Sequence, residues 1–356
     1  MRPSLFRHME CNLIYNNEKG QNKGAYLIYQ AEKDNIFRWD GRRGHYEVYY
    51  IKFNHLQSRT GYWLRYTLLS PLQGEAIAEL WGMFYDPSNP NNNFALKETY
   101  PLSETQFSRE RFYLRIGPSA LYHTGAKGEI KKYGSSLRWN LSFSMNRMSF
   151  RHFPIDLMYR LALPRTKVLS PHFDTRVSGR IEVNGRIYEC QNEPGQQTHI
   201  WGTKNAEMWT WGHCNAFAED PGAVFEGISA RFRIGPWLSP AVNPFFIRWK
   251  GMDYSMNGFL QSVRNESRTE LPRWSFNARS GDFTFSGEMS ARTEDFIGVE
   301  YTDPDGEKLW CNNTKVANLV ITIYKNGRKL DTLTSERAAA FEKVAREKDN
   351  RIPIRI

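Results

Sequence analysis

Short runs that alternate large and polar side chains recur through most of this chain, and they constrain its fold more than any other feature. The runs are rich in aromatic and β-branched residues and are bounded by Gly, Pro, Asn and Asp, which is typical of strands between turns. They follow one another about every eight to twelve residues, the spacing expected of antiparallel sandwiches and barrels. The sequence therefore predicts an all-β protein.

The alternation is clearest in a few segments. The early strands that it predicts are Tyr46–Phe53, Gly61–Leu69 and Ala76–Tyr85. A later hairpin turns at Asn184-Gly185, the strongest two-residue turn signal available. Only Thr334–Lys348 is expected to be helical, since an Ala-rich body follows Thr334 or Ser335 as N-cap.

A chain of 356 residues is too long for a single small hydrophobic core, so two domains are expected. Arg115-Ile-Gly-Pro118 is repeated at Arg233-Ile-Gly-Pro236, which is consistent with duplication, although so short a match also arises by chance. The expected organisation is a lead-in at 1–35, a first barrel at 36–180, a second barrel at 181–332, and a helix with a tail at 333–356.

The net charge of +10 permits attraction to nucleic acid or to an anionic membrane. The basic residues are scattered, however, so a solvated basic surface is the simpler interpretation and nucleic-acid binding is not expected. The start of the chain does not resemble a signal peptide, and no apolar run is long enough to span a membrane. A cytoplasmic protein is expected, and the sequence leaves its oligomeric state open.

Motifs for common cofactors are absent. The four cysteines form no C-x-x-C pair, and the eight histidines lack the spacing of metal ligands. No glycine-rich phosphate loop opens a helix, and no G-x-S-x-G elbow occurs. The expectation is therefore a protein without a metal or nucleotide cofactor.

The stretch from Gly195 to Phe217 is the densest in chemically versatile side chains. At a period of two, small residues share one face of its second part, and the other face carries Trp209, Trp211, His213, Asn215 and Phe217. His199 and Trp201 alternate in the same way before a turn that ends at Asn205. Rings with polar handles on one face are typical of a strand that lines a cavity for a hydrophobic molecule, although ordinary core between two sheets explains the tryptophans equally well.

Two residues are candidates for proton transfer. Glu226 lies on an otherwise apolar face, where burial raises the pKa of a carboxyl group, as protonation of an alkene requires. An ion pair with Arg65 or Arg231 is the alternative for Glu226. An imidazole titrates near neutrality, so one interpretation of His199 is a general acid or base. The alternative is a structural histidine that hydrogen-bonds a turn carbonyl. Glu79, which precedes Trp81 by two residues, is the counterpart of Glu226 in the first half.

The motif His199-x-Trp201-Gly202, followed by Trp209-x-Trp211 and Phe217, resembles one found in the tandem lipocalin-like (calycin) superfamily. This superfamily includes AttH-type proteins, carotenoid 1,2-hydratase (hydroxyneurosporene synthase) and tocopherol cyclase. In many of its members an Asp precedes the His, where this chain has Thr198. The resemblance implies two lipocalin-like antiparallel β-barrels side by side, with a cavity for an isoprenoid-like molecule.

The expected function is binding of an isoprenoid- or lipid-like molecule in a barrel cavity, with proton-initiated hydration or cyclisation in which Glu226 or His199 acts. The residues expected to contact the ligand are Trp201, Asn205, Trp209, Trp211, His213, Asn215, Phe217, Glu79 and Trp81. A non-enzymatic carrier of hydrophobic ligands that touches an anionic membrane is the alternative.

Overall fold

The computed structural model describes residues 30–145 and 149–356, which form two large antiparallel sheets. The first sheet contains β1 (His45–His55), β2 (Thr60–Ser70), β3 (Ile77–Tyr85), β4 (Phe94–Pro101), β5 (Thr105–Ser108), β6 (Tyr113–Ile116), β7 (Ser119–Tyr122), β8 (Gly125–Lys132), β9 (Ser135–Phe143), β10 (Phe150–Arg151), β11 (Thr166–Val183) and β12 (Arg186–Gly202). It curves into a nearly closed barrel.

The chain of the second sheet is interrupted by a two-stranded insertion formed by β15 (Arg233–Ile234) and β16 (Trp237–Leu238). Its strands are β13 (Met208–Cys214), β14 (Val224–Arg231), β17 (Phe245–Trp249), β18 (Met252–Met256), β19 (Glu266–Glu270), β20 (Arg273–Ser280), β21 (Phe283–Ser290), β22 (Ile297–Thr302), β23 (Lys308–Lys325) and β24 (Arg328–Ala345). The helical pieces are α1 (30–35), α2 (Phe259–Arg264) and 3-10 turns at Pro90–Asn92, Leu102–Glu104, Asp156–Tyr159 and Thr293–Asp295. The all-β prediction is confirmed.

The predicted helix at Thr334–Lys348 is wrong, because β24 includes this segment as far as Ala345 and pairs with both β13 and β23. Ala339 and Phe341 face the core of the second sheet, whereas Ala340 and Val344 face the first sheet. A strand buried on both faces has no polar face, so its sequence shows no alternation. The Ala-rich run then resembles a helix in sequence alone.

The two sheets repeat one strand order. The first contains β4-β3-β2-β1-β12-β11-β9-β8, and the second contains β18-β17-β14-β13-β24-β23-β21-β20. In each, a four-stranded meander is joined to a long hairpin, which turns at Asn184-Gly185 in one sheet and at Asn326-Gly327 in the other. Both asparagines have positive φ, 51° and 49°, as such turns require. This order supports a duplication, whereas the Arg-Ile-Gly-Pro segments lie at non-equivalent places.

The chain passes from the first sheet to the second between Gly202 and Met208. The expected boundary at residues 180 and 181 instead falls within β11, because the whole β11–β12 hairpin belongs to the first sheet. Most of the lead-in expected at 1–35 lies outside the described residues. Within the described part of the chain, no helix has the length and apolar character needed to cross a membrane.

Most of the buried apolar side chains among the described residues form three layers. One fills the first sheet and includes Tyr49 and Trp139; another fills the second sheet and includes Trp274 and Phe341. The third lies between the sheets; Tyr50 enters it from the first sheet and Trp211 from the second. This middle layer positions the candidate site.

Candidate functional site

A cavity of about 470 Å³ lies in the layer between the two sheets. On one side, its wall includes Tyr46, Val48 and Tyr50 of β1, and on the other side Trp209 and Trp211 of β13. The volume is in the range of small-molecule pockets, about 300–1,000 Å³. The cavity was expected inside a barrel, but apolar side chains fill the insides of both sheets, and the space lies at their junction.

Because successive side chains of β1 alternate, the strand contributes to two layers. Tyr46, Val48 and Tyr50 point to the junction, whereas Tyr49 and Ile51 point into the first barrel. Every residue of this strand is buried. The strand therefore contributes to a filled core on one side and to a cavity wall on the other.

The structure places Trp209, Trp211 and His213 on the junction face of β13. His213 Nε2 lies 2.7 Å from the carbonyl oxygen of Phe173, and the side chain of Asn215 donates to Gly195 O at 3.0 Å. These two side chains thus connect β13 to the first sheet and are not on the cavity wall. Phe217 lies in the core of the second sheet, because β13 ends before it and the alternation stops.

On the opposite face of β13, small residues permit close packing. A Cβ atom added to Gly212 would lie 2.7 Å from the ring of Trp274. The small face that the sequence indicated thus packs against aromatic side chains inside the second sheet.

His199 lies inside the first barrel and is fully buried. Its two ring nitrogens lie 2.9 Å from Asp34 O and 2.9 Å from Glu47 Oε1, and its ring stacks on Tyr49. Burial lowers the pKa of His199, and the hydrogen bond with Glu47 opposes that shift. Trp201 packs on His199, at 4.6 Å between ring centroids. The His-x-Trp motif therefore holds the segment before β1 against the barrel, away from the cavity.

Glu47 is the centre of this arrangement. Its carboxylate accepts hydrogen bonds from the main-chain N–H groups of Arg38 and Trp39, at 2.7 and 2.8 Å, and from the hydroxyl of Tyr49 at 2.8 Å. Burial alone would raise the pKa of Glu47, but hydrogen bonds from His199, His45 and the main chain outweigh it and lower the pKa to about 2. The group is a buried, fully bonded carboxylate.

Glu226 faces the junction from β14 and is 1% exposed. Its partners are neither Arg65 nor Arg231. Glu226 Oε1 accepts from Trp211 Nε1 at 2.9 Å and lies 2.9 Å from His152 Nε2, and Oε2 accepts from Gln196 Nε2 at 2.6 Å. Both carboxyl oxygens of Glu226 therefore have hydrogen-bond partners.

His152 is a cavity residue that sequence reasoning missed. It lies between β10 and β11, 74 positions before Glu226, and no spacing pattern links the two. It is 4% exposed and lines the cavity. Its second ring nitrogen, Nδ1, has no hydrogen-bond partner among the described residues. A carboxylate-bound imidazole beside an apolar cavity can transfer a proton to or from a ligand.

Thr198 connects to the same cluster. Its hydroxyl oxygen lies 2.8 Å from Ser170 Oγ, which accepts from Gln196 Nε2 at 3.3 Å, and Gln196 in turn binds Glu226. Thr198, at the position where many members of the superfamily have Asp, therefore faces the junction, and a short hydrogen-bonded chain links it to Glu226.

Residues 161–342, just over half of the chain, match the family model described as tocopherol cyclase-like. The chain belongs to the tocopherol cyclase-like family. The matched segment contains the His-x-Trp motif, the cavity residues Trp209 and Trp211, and Glu226. An uncharacterised protein of Mycobacterium tuberculosis strain H37Rv is 27% identical over 307 residues, which cover 84% of this chain and 88% of that protein.

Solved structures share the fold of this tocopherol cyclase-like protein. A Nitrosomonas europaea protein designated AttH superposes with a TM-score of 0.52 at 11% identity, over 86% of this chain and 94% of that chain. Kievitone hydratase from Nectria haematococca gives 0.51 at 9% identity, over 88% and 92%, and CghA gives 0.53 at 6% identity, over 85% and 88%. At these identities, the likeness concerns the fold alone.

Asn205, Glu79 and Trp81 are the remaining residues predicted to contact the ligand, and of these only Asn205 lines the cavity. Asn205 lines it, accepting from Tyr46 OH at 2.9 Å and donating to Asp303 Oδ1 at 2.7 Å. Glu79 lies 3.3 Å from Lys97 Nζ and accepts from Trp81 Nε1 at 3.1 Å. Glu79 is therefore an ion-paired residue of the first sheet, and Trp81 packs in the junction layer.

One group of carboxylates could hold a metal ion among the described residues. It consists of Asp303, Asp305 and Glu307, whose oxygen atoms lie within 4.8 Å of one another. Lys204 Nζ lies 2.6 Å from Asp305 and 2.7 Å from Glu307, and Arg346 lies 2.6 Å from Asp303. Two of the chain's own cations therefore already pair with all three carboxylates.

Proposed function

We propose that this protein binds a hydrophobic isoprenoid- or lipid-like molecule between its two sheets and catalyses its proton-initiated hydration or cyclisation. The observation that carries the proposal is the buried His152–Glu226 pair beside a cavity whose wall is otherwise mostly aromatic and aliphatic. The family is named for a cyclase, and a protein of the same fold is named for a hydratase, which agrees with this reaction class.

In the proposed reaction, His152 acts as the acid and Glu226 positions it. The imidazolium of His152 gives its Nδ1 proton to an alkene carbon, and the π electrons form the new C–H bond. A lone pair of water, or of a hydroxyl group of the substrate, then forms a C–O bond at the resulting carbocation. That oxygen releases its proton to Nδ1, which restores the imidazolium. Glu226 exchanges no proton with the substrate in this scheme; Trp211 and Gln196 hold it by hydrogen bonds, and it keeps the ring of His152 in place.

The cavity wall suits a developing positive charge. Trp211 packs edge-on against Tyr50, at 5.5 Å between ring centroids, and the hydrogen bond to Glu226 fixes its indole ring. Trp209 lies on the same wall. An aromatic face stabilises a nearby cation by roughly 0.5–2 kcal/mol. The wall therefore favours the carbocation over the neutral alkene.

Substitution of the acid–base pair tests this proposal. His152→Gln keeps an N–H donor for Glu226 but cannot titrate, and Glu226→Gln removes the charge that positions His152. We expect each to reduce deuterium incorporation into geranylgeraniol in D₂O by about 100-fold or more, the usual size of a general-acid contribution. Quenching of tryptophan fluorescence by the same alcohol should persist, because the wall is intact.

Glu79→Gln is the matched control, since Glu79 is ion-paired outside the cavity lining. It should leave incorporation unchanged. Full incorporation in both His152→Gln and Glu226→Gln would refute the acid–base assignment. If prenyl and acyl probes failed to quench the fluorescence, and mass spectrometry of solvent extracts found no co-purified lipid, the binding function itself would be wrong.

A carrier that collects its cargo from an anionic membrane is the second candidate, and the mouth of the cavity favours it. Ile155 and Phe259 line the cavity and are 60% and 76% exposed. Further exposed apolar side chains lie next to them in the chain: Leu157, Leu161, Leu163, Leu260 and Val263. Arg160 and Arg264 are exposed in the same segments. Apolar side chains among arginines suit the surface of an anionic leaflet.

Sedimentation with vesicles tests this second candidate. Binding to phosphatidylcholine vesicles should rise when phosphatidylglycerol is included and fall at high salt. Ile155→Asp with Phe259→Asp should remove most of it, whereas Leu330→Asp, an exposed position in the β23–β24 hairpin, should not. Equal sedimentation of all three proteins, or none with anionic vesicles, would exclude a membrane role for the mouth.

A further inference from the structure

Arg65 is a buried cation in the wall of the cavity. It lies on β2, where it pairs in register with Tyr50 of β1 and Trp81 of β3. The residue is 9% exposed and lines the cavity. A charged group in such a place needs compensation, because burial removes its hydration.

The surroundings of Arg65 compensate its charge only in part. Its guanidinium carbon lies 4.2 Å from the ring centroid of Tyr301, 5.0 Å from that of Trp81 and 5.6 Å from that of Trp63. Nε donates to Thr67 Oγ1 at 2.9 Å. In the described part of the chain, no carboxylate forms an ion pair with Arg65 and its terminal nitrogens have no hydrogen-bond acceptor. The N–H groups on those nitrogens are therefore available to a molecule in the cavity.

Two buried lysines near Arg65 differ from it in how their charge is compensated. Lys315 Nζ lies 2.8 Å from Glu342 Oε1, so its charge is paired. Lys52 has no hydrogen-bond partner for Nζ among the described residues, but burial lowers its pKa to about 8, so it can lose its proton. Arginine cannot relieve its charge in this way. Arg65 therefore remains a cation with open donors.

We propose that the molecule bound in the cavity is an amphiphile with an acidic oxygen headgroup, a carboxylate or a phosphate, which Arg65 holds by hydrogen bonds. The fork of a guanidinium matches two oxygens of either group. The apolar chain of the ligand then runs along Val48, Ile200 and Ile228 toward the exposed Ile155 and Phe259 at the mouth.

This headgroup contact also positions the ligand for the proposed reaction, on which the inference rests. Tyr50 is opposite Arg65 in the sheet and packs on Trp211, which donates to Glu226. The headgroup site and the acid–base pair are thus joined along one wall. An anion fixed at Arg65 selects which part of the chain lies near His152.

The test compares chain-matched probes that differ only in the headgroup: hexadecanoate, hexadecyl phosphate and hexadecanol. Affinities are measured by quenching of tryptophan fluorescence. We expect the wild-type protein to prefer at least one acid over the alcohol by about tenfold or more, as a charge-assisted hydrogen bond predicts. Whichever acid binds more tightly distinguishes a carboxylate from a phosphate ligand. Arg65→Gln should abolish the preference while the affinity for hexadecanol changes by less than about twofold.

Arg65→Lys keeps the charge without the fork and should retain only part of the preference. Arg186→Gln is the matched control, because Arg186 also lies over an aromatic ring, that of Tyr188, but is exposed and outside the cavity. An equal affinity for acids and alcohol in the wild-type protein, or an undiminished preference in Arg65→Gln, would overturn the headgroup site and leave the binding function standing. If none of the three probes bound, the proposed function would fail as well.

Discussion

Replacement of Glu47 by Ala is expected to lower the free energy of unfolding by about 3–5 kcal/mol, the usual cost of breaking a buried charged pair. The side chain is fully buried. Its removal leaves the N–H groups of Arg38 and Trp39 and the ring nitrogen Nε2 of His199 without their acceptor, whereas the hydroxyl of Tyr49 can still donate to Asn35 O. Each buried donor that loses its acceptor costs about 1–3 kcal/mol. Urea unfolding at pH 7, followed by tryptophan fluorescence, measures the loss.

The same residue predicts a pH dependence. The pKa of Glu47 is about 2 in the folded protein, below its ordinary value of 4.5. The unfolded chain therefore binds more protons between these two values, and the contribution of Glu47 to stability decreases as the pH falls through this window. Glu47→Gln should flatten the stability curve there. Glu129→Ala, at an exposed ion pair with Arg138, should cost less than about 1 kcal/mol. A loss at Glu47 no larger than this control would contradict the structural role.

The sequence predicted the strands whose two faces differ and failed where both faces are buried. The Asn184-Gly185 hairpin and the opposite faces of β13 follow from turn chemistry and from the period of two. β24 is buried on both faces between two strands, and its Ala-rich segment was therefore mistaken for a helix. A period of two assigns each side chain to one face of its strand but does not say what packs on that face. The sequence therefore did not predict that the cavity lies between the sheets, where the outer face of one meets the outer face of the other.

The candidate site shows the same limit, residue by residue. In β12, His199 and Trp201 carry the recognisable motif but are on the barrel side of the strand. The alternate residues Gln196, Thr198 and Ile200 lie on the junction side. Because neighbouring residues in a strand point to opposite faces, the motif identified the right strand but the wrong face. His152 and Arg65 reach the cavity from other parts of the chain, and their proximity depends on the packing of the two sheets, which local spacing cannot predict.

The buried pair of Lys315 and Glu342 predicts an effect of similar size in the junction itself. Lys315 is fully buried, and its Nζ lies 2.8 Å from Glu342 and 2.6 Å from Asn313 Oδ1. Glu342→Ala leaves the ammonium group without its carboxylate between the rings of Trp63 and Trp211, at 5.1 and 5.2 Å. We expect a loss of about 3–5 kcal/mol in the free energy of unfolding at pH 7.

The pH dependence of that loss separates a stranded charge from lost packing. Burial already lowers the pKa of Lys315, and Glu342 opposes this shift. Without Glu342, the folded-state pKa falls further, so the unfolded chain binds more protons and the loss should shrink as the pH rises toward 10.5. The double variant Lys315→Met, Glu342→Met should recover most of the stability, since an apolar pair of similar volume replaces a buried ion pair at little cost. Glu189→Ala, at an exposed pair with Arg180, controls for the loss of a surface carboxylate. A loss that does not vary with pH and persists in the double variant would show that shape, and not charge, determines the effect.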